Sequence, residues 1–227
     1  MRLSTIFTVP LVVAIAASMR SVQGNVVTSD GEPRVQIQVP QTAHYVGSDR
    51  WVLFGIANCQ LFVFVQADSR KHVQRLYWVQ FEGYLTSMPK LQHEYRSTRH
   101  ATLAGMDFYV DTWLDNRERA GVSSPDLHAL EEWIRSKGYP VPQGIDTGSD
   151  EQHVAALLRA KGYTLPPAMM SVRFVHLVDN KRKELMIIYS EDAAPAGFTG
   201  LIERAEKAIS ITRTLLVHHG DSIERNS

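Results

Sequence analysis

The chain has 227 residues, of which 44% are hydrophobic and 21% charged, and its Lys and Arg residues balance its Asp and Glu residues to a formal charge of zero. This is enough apolar material for one domain with a sizeable core, so neither disulfides nor a structural metal is needed for stability. The charge balance excludes the basic field that a general nucleic-acid or acidic-membrane binder requires.

Arg2, an apolar run from Ile6 to Ala17 interrupted by Thr8 and Pro10, and the small residues that follow have the layout of an export signal. Cleavage is expected after Gly24, with Ser18 as the alternative. Loss of Arg2 and Arg20 with such a leader would lower the basic count from 24 to 22 against 24 acidic residues. The run is shorter than the roughly 20 apolar residues of a membrane span. No stable span is therefore expected after cleavage, and the mature protein is expected in the periplasm or secreted; an uncleaved anchor is the other reading. Residues 1–24 are thus read as a leader, 25–33 as a flexible lead, 34–218 as one α+β domain and 219–227 as a tail.

Val35, Ile37 and Val39 alternate with glutamines in a short half-buried strand that Pro40 ends. The segment from Trp51 to Gln66 is apolar almost throughout. It is too long for one typical strand and should divide near Ala57 to Gln60. Within it, Cys59 is the only cysteine, which makes an intrachain disulfide impossible and suits a small buried hydrophobe better than a nucleophile.

Asp68-Ser-Arg-Lys71 reads as the turn of an antiparallel hairpin leading into Val73–Leu85, the strongest strand signal in the chain. Alternation puts Val73, Tyr77, Val79 and Phe81 on a core face. Leu76, Trp78, Gln80, Glu82 and Tyr84 share the other, a mixture that fits either the wall of a partly wet cleft or an ordinary sheet surface.

From Thr86 to Arg99 the chain is polar and reads as a loop. His93, Glu94 and His100 lack the His-Glu-x-x-His spacing of a zinc helix, so no metal site is expected. A further strand is expected over Ala104–Leu114, with Met106, Phe108 and Val110 in the core and Asp107, Tyr109, Asp111 and Trp113 opposite.

If the two mixed faces lie on one side of one sheet, Trp78, Gln80, Glu82, Tyr84, Asp107, Tyr109, Asp111 and Trp113 form a candidate ligand site. Carboxylates held against aromatic rings have raised pKa values and can act as acids or bases. Glu82, Asp107 and Asp111, with His100 or His176, are accordingly the catalytic candidates.

Residues 124–163 read as a two-helix insertion. Ser124-Pro-Asp126 opens the first helix, and Ser149 with Gln152 makes a capping box for the second. Each ends in Lys-Gly-Tyr, at 137–139 and 161–163. Asp146-Thr-Gly-Ser149 resembles the active-site turn of aspartic proteases. A single copy without a preceding hydrophobic strand is explained by loop and cap chemistry instead.

Two strands, Met170–Val178 and Lys183–Ser190, flank an Asp179-Asn-Lys-Arg182 turn, with His176 read as a core residue. An amphipathic helix is expected near Leu201–Leu216, with His218-His219 in a frayed tail.

The expected fold is α+β, an antiparallel sheet of five or six strands covered on one face by the C-terminal helix and the two-helix insertion. No cofactor motif is present. The function expected is non-enzymatic binding of a small amphipathic molecule or peptide, or an accessory role, on the mixed sheet face. Two alternatives stand beside it: an exported hydrolase or isomerase with paired carboxylates, and an interaction module of the cell envelope.

Overall fold

The computed structural model describes residues 20–116, 127–142, 148–193 and 197–214. Most of the stretch read as a leader, the expected helix start at 124–126, Asp146 and Thr147 of the protease-like turn, and the His218-His219 tail lie outside these residues.

Eleven described strands form two antiparallel sheets, where one was expected. The small sheet has the order β1 (Arg20–Gln23), β2 (Val26–Ser29), β3 (Val35–Gln38) and β11 (Ser210–Arg213). The large sheet runs β4 (His44–Leu53), β5 (Ala57–Ala67), β6 (Val73–Tyr84), β10 (Lys183–Asp192), β9 (Ala168–Val178), β8 (Met106–Asn116) and β7 (His100–Leu103). Three helices complete the described chain: α1 (Leu127–Ser136), α2 (Asp150–Ala160) and α3 (Leu201–Ala208).

Period-two alternation gives the large sheet two buried faces. On one, Phe62, Phe64, Tyr77, Val79, Phe81, Phe108, Phe174 and Ile187 meet Val27, Val35 and Ile37 of the small sheet, together with Leu201 and Ala205 of α3. On the other, Leu61, Val63, Leu76, Trp78, Val175 and Ile188 pack beneath Val154 and Leu158 of α2. The C-terminal helix and the insertion therefore cover opposite faces. The sequence alone suggested one covered face because both apolar stripes looked equivalent.

Further differences have local causes. The helix at the C-terminus ends at Ala208, and Ser210–Arg213 pairs with β3; Ile209, Ile211 and Thr212 are β-branched and bring strand propensity to that stretch. The stretch read as a lead contains β2, joined to β1 across Gly24 at φ 57°. The apolar segment divides at Phe54-Gly55, both with positive φ, a few residues earlier than expected, and β4 and β5 form the resulting hairpin.

The expected hairpins β5–β6 and β9–β10 are present and antiparallel, the second in continuous register and the first with a shift between Gln66 and Ala67. In the second, Asp179, Asn180 and Lys181 all adopt positive φ; Asp and Asn tolerate this region better than other non-glycine residues. The duplicated Lys-Gly-Tyr ending is one stop geometry used twice. Gly138 and Gly162 take positive φ, and the following tyrosine N–H donates back to Ile134 O and Leu158 O respectively. Gln152 Oε1 accepts from the Ser149 N–H at 3.2 Å, as the capping box requires.

Phe174 lies at the centre of the sandwich, 1% exposed and edge-on to Phe108 at 6.4 Å. Phe174→Ala should destabilise the protein by about 3–5 kcal/mol. Phe198→Ala, at a position 48% exposed, should change stability by less than about 0.5 kcal/mol. Urea unfolding midpoints check both.

Candidate functional site

The register brings all eight candidate ligand residues to one face of the large sheet, the face beneath α2. Successive rows across the strands read Cys59–Glu82–Glu184–Leu177, then Leu61–Gln80–Met186–Val175–Tyr109–His100, then Val63–Trp78–Ile188–Arg173–Asp111. The strands carrying the two halves are nevertheless not neighbours. With β10 and β9 between them, β6 and β8 stand roughly 14 Å apart.

Glu82 is therefore not paired with Asp107 or Asp111. Its cross-strand partner is Glu184 of β10, a residue the sequence reading did not single out. Asp111 accepts from Arg173 at 2.7 Å, and that guanidinium lies over the rings of Tyr95 at 5.1 Å and Trp113 at 6.0 Å. Asp107 is exposed and contacts His100 Nδ1 at 2.9 Å, while the His100 ring leans on Tyr109. His176 belongs to the opposite face by alternation; its Nδ1 donates to the Asp107 carbonyl at 2.8 Å and its ring lies 5.3 Å from Phe108.

Around Glu82 the polar groups form a network under the helix. Cys59 Sγ donates to Glu82 Oε2 at 3.4 Å. Trp78 Nε1 donates to Gln80 Oε1 at 3.0 Å, and Gln80 Nε2 donates to Asp150 Oδ2 of α2, also at 3.0 Å. Tyr95 OH donates to Glu184 Oε2 at 2.7 Å, and His93 Nδ1 lies 3.2 Å from the same oxygen. The His93 ring stacks on Tyr84 at 4.4 Å, and its backbone N–H donates to Lys181 O.

Burial dominates the titration of these groups. It raises the Glu82 carboxyl well above the ordinary carboxylate range, and the neighbouring charges of Glu184 and Asp150 push it further. Burial takes Glu184 up to about 7 and Asp150 up to about 6, although the latter is opposed by the Gln80 hydrogen bond and the former by Tyr95. His93 is driven by burial down to about 4. At neutral pH the His93–Glu184 contact is thus a hydrogen bond from an uncharged imidazole, not an ion pair. Burial and the Glu82 charge also raise the Cys59 thiol, which stays protonated and is no nucleophile.

This arrangement can hold protons on closely placed carboxyl groups near neutral pH, a property of acid–base sites and of polar ligand sites alike. Two atoms in it, His93 Nε2 and Asp150 Oδ1, are buried without a hydrogen-bond partner. Among the described residues no group of three His, Cys, Asp or Glu side chains is placed to hold a metal ion. Trp78 and Gln80 are sealed from solvent, whereas Glu82 and Tyr84 at the end of β6 stay partly exposed.

The sequence offered little notice of Glu184, Asp150, His93 and Tyr95. Glu184 opens an apolar strand, Asp150 looks like a helix-start acid, and the other two sit in what reads as a polar loop. The one available signal was the mismatch of Glu184 with the otherwise apolar alternation of β10.

Away from this face, Arg75, Tyr77, Tyr189, Arg204 and Lys207 line a cleft of about 290 Å³ beside α3. Its cations are largely matched. Arg204 binds both oxygens of Glu191, and Arg75 Nε donates to Tyr189 OH, which itself donates to Glu191. Comparison with known protein families, curated proteins and solved structures gives no match.

A carboxyl whose folded pKa is raised binds its proton more tightly in the folded state, so its stabilising contribution is lost as pH rises through the folded value. His93, depressed in the folded state, works oppositely between about 4 and the ordinary histidine range. Above about pH 6.5 the carboxyl contribution dominates, with a smaller fall toward about pH 8.5 from the buried Cys59 thiol. Stability from urea unfolding should then fall by roughly 1–2 kcal/mol between about pH 6.5 and 8.5. Glu82→Gln should reduce that fall, and the double variant with Glu184→Gln should flatten it.

Proposed function

We propose that the protein is an exported, non-enzymatic binding or accessory protein that takes the polar head of a small amphipathic molecule or peptide at Glu82 and Tyr84. The observation that carries this reading is the partial exposure of these two residues at the mouth of a buried, proton-holding network. A hydrogen-bonding or cationic head group would find there a carboxyl backed by Glu184. Tyr84, Trp133 and Leu85, all partly buried, supply apolar surface beside it.

The extent of the mature chain bears on this. A cut after Ser18 retains β1, whose Arg20 guanidinium lies 4.2 Å above the Phe81 ring; a cut after Gly24 removes that strand. We therefore favour Ser18. Among the described residues, no helix is long and apolar enough to cross a membrane.

A second reading rests on the direct opposition of Glu82 and Glu184 with separated titrations, the arrangement by which one carboxyl serves as acid and its partner as base. On that reading the protein is a hydrolase or isomerase working through this pair, with Tyr95 and His93 positioning Glu184.

Native mass spectrometry of the protein purified after export from its own host tests the binding reading. An excess mass lost on denaturation is expected, reduced in Glu82→Gln, with the denatured mass reporting cleavage after Ser18. A wild-type chain that carries no excess mass would overturn it. If the acid–base reading holds instead, Glu82→Gln abolishes turnover in a substrate screen while leaving ligand mass unchanged.

A further inference from the structure

On the opposite face of the large sheet from Glu82, a cleft of about 480 Å³ opens between β1, β4 and β5. Val22 and Phe62 supply its apolar lining, and Arg20, Arg50, Ser48 and Asp49 its polar one. Arg20 is anchored over Phe81, with its Nε buried and without a hydrogen-bond partner. Arg50 is held by Gln60, whose amide oxygen, in the orientation that satisfies both groups, accepts from Nη2 at 2.8 Å and Nε at 3.1 Å.

The cations of this cleft are not matched by carboxylates. Elsewhere Arg135, Arg173 and Arg204 each meet a carboxylate. Neither Arg20 nor Arg50 forms an ion pair with any described residue. Asp49, in the same wall, is engaged otherwise: Oδ1 accepts from the Arg50 backbone N–H at 2.7 Å and Oδ2 contacts His153 Nδ1 at 2.9 Å, with that imidazole stacked on Trp51. Burial and the Arg50 charge bring Arg20 down to about 10, so its guanidinium remains charged at neutral pH. Arg20 is partly buried and loses hydration without internal compensation, and the exposed Arg50 guanidinium beside it repels it. A bound anion relieves both costs.

We propose that this cleft binds a phosphate ester group, with the Arg20 and Arg50 guanidiniums taking its oxygens and Val22 and Phe62 meeting its organic part. Two guanidinium forks offer more donors than the two oxygens of one carboxylate can use, whereas a phosphate ester presents further oxygens. Ser48 and Tyr45, both lining the cleft, add hydroxyl donors. The site is separate from the Glu82 network but rests on a mature chain that keeps Arg20, as a cut after Ser18 leaves it; the denatured mass of the protein used reports this independently of binding.

Isothermal titration at fixed ionic strength, with chloride as the balancing anion, uses inorganic phosphate and phenyl phosphate as probes, and co-sedimentation uses vesicles of phosphatidylglycerol against phosphatidylcholine. Saturable binding of phenyl phosphate tighter than inorganic phosphate is expected for a soluble ester; selective binding to phosphatidylglycerol vesicles identifies a lipid head group instead. In either case Arg50→Gln and Arg20→Gln should each weaken binding about tenfold or more, and Arg75→Gln in the other cleft should not. Arg50→Lys, which keeps the charge but not the fork, should fall between and serves where Arg50→Gln does not fold by circular dichroism. Absence of binding to every probe, or equal binding by wild type and the Arg50 variants, would overturn the proposal.

Discussion

Burial of the large sheet on both faces is the constraint from which the other features follow. β5, β6 and β10 have almost no open surface, because the small sheet and α3 cover one side and α2 with its neighbours covers the other. A strand in that position has to be apolar at nearly every residue or satisfy its polar groups from within. Gln80 does so through Trp78 and Asp150, and Ser171 through Ser190. The carboxyl groups do so only in part, which is why their protonation rather than their pairing absorbs the cost of burial.

α2 is held to this face by more than its apolar stripe. Val73 N–H donates to Thr164 O at 2.8 Å, Thr164 N–H to Lys71 O, and Lys71 Nζ to Lys161 O, so the helix end is tied to the start of β6. Asp150 at its other end is tied to Gln80. The helix thus runs from the start of β6 to the acidic network, which it meets at its Asp150 end, and the titration of Asp150 is coupled to the docking of the helix that carries it. An ordinary helix-start acid, stabilised by the dipole and by water, has no such dependence.

The strands were legible because alternation is a local signal, and so were the two hairpins and the Lys-Gly-Tyr stops, whose geometry lies within a few residues. The common side of Trp78, Glu82, Tyr109 and Asp111 was legible for the same reason. Which strand lies beside which was not. Glu82 looks toward Asp107 only if β6 and β8 are neighbours, and the order that inserts β10 and β9 is set by packing across more than a hundred residues. The second sheet was hidden for another reason. Its four strands have four residues each, and three of them lie in stretches that read equally well as leader, lead or helix end.

Alternation also separates the charges of the two sites. Phe81 and Glu82 are consecutive, one beneath the Arg20 guanidinium and the other against Cys59; Cys59 and Gln60 divide in the same way. Opposite charges about 10 Å apart through protein attract by roughly 1–2 kcal/mol at an effective dielectric near 20, less than the cost of burying either one unpaired. The titrations reflect this. Glu82 is governed by burial and by Glu184 and Asp150, and Arg20 by burial and by Arg50, so neither is set by the other. The sheet works as an insulating layer, leaving an acidic network on one side and a basic cleft on the other in a chain whose total charge is zero.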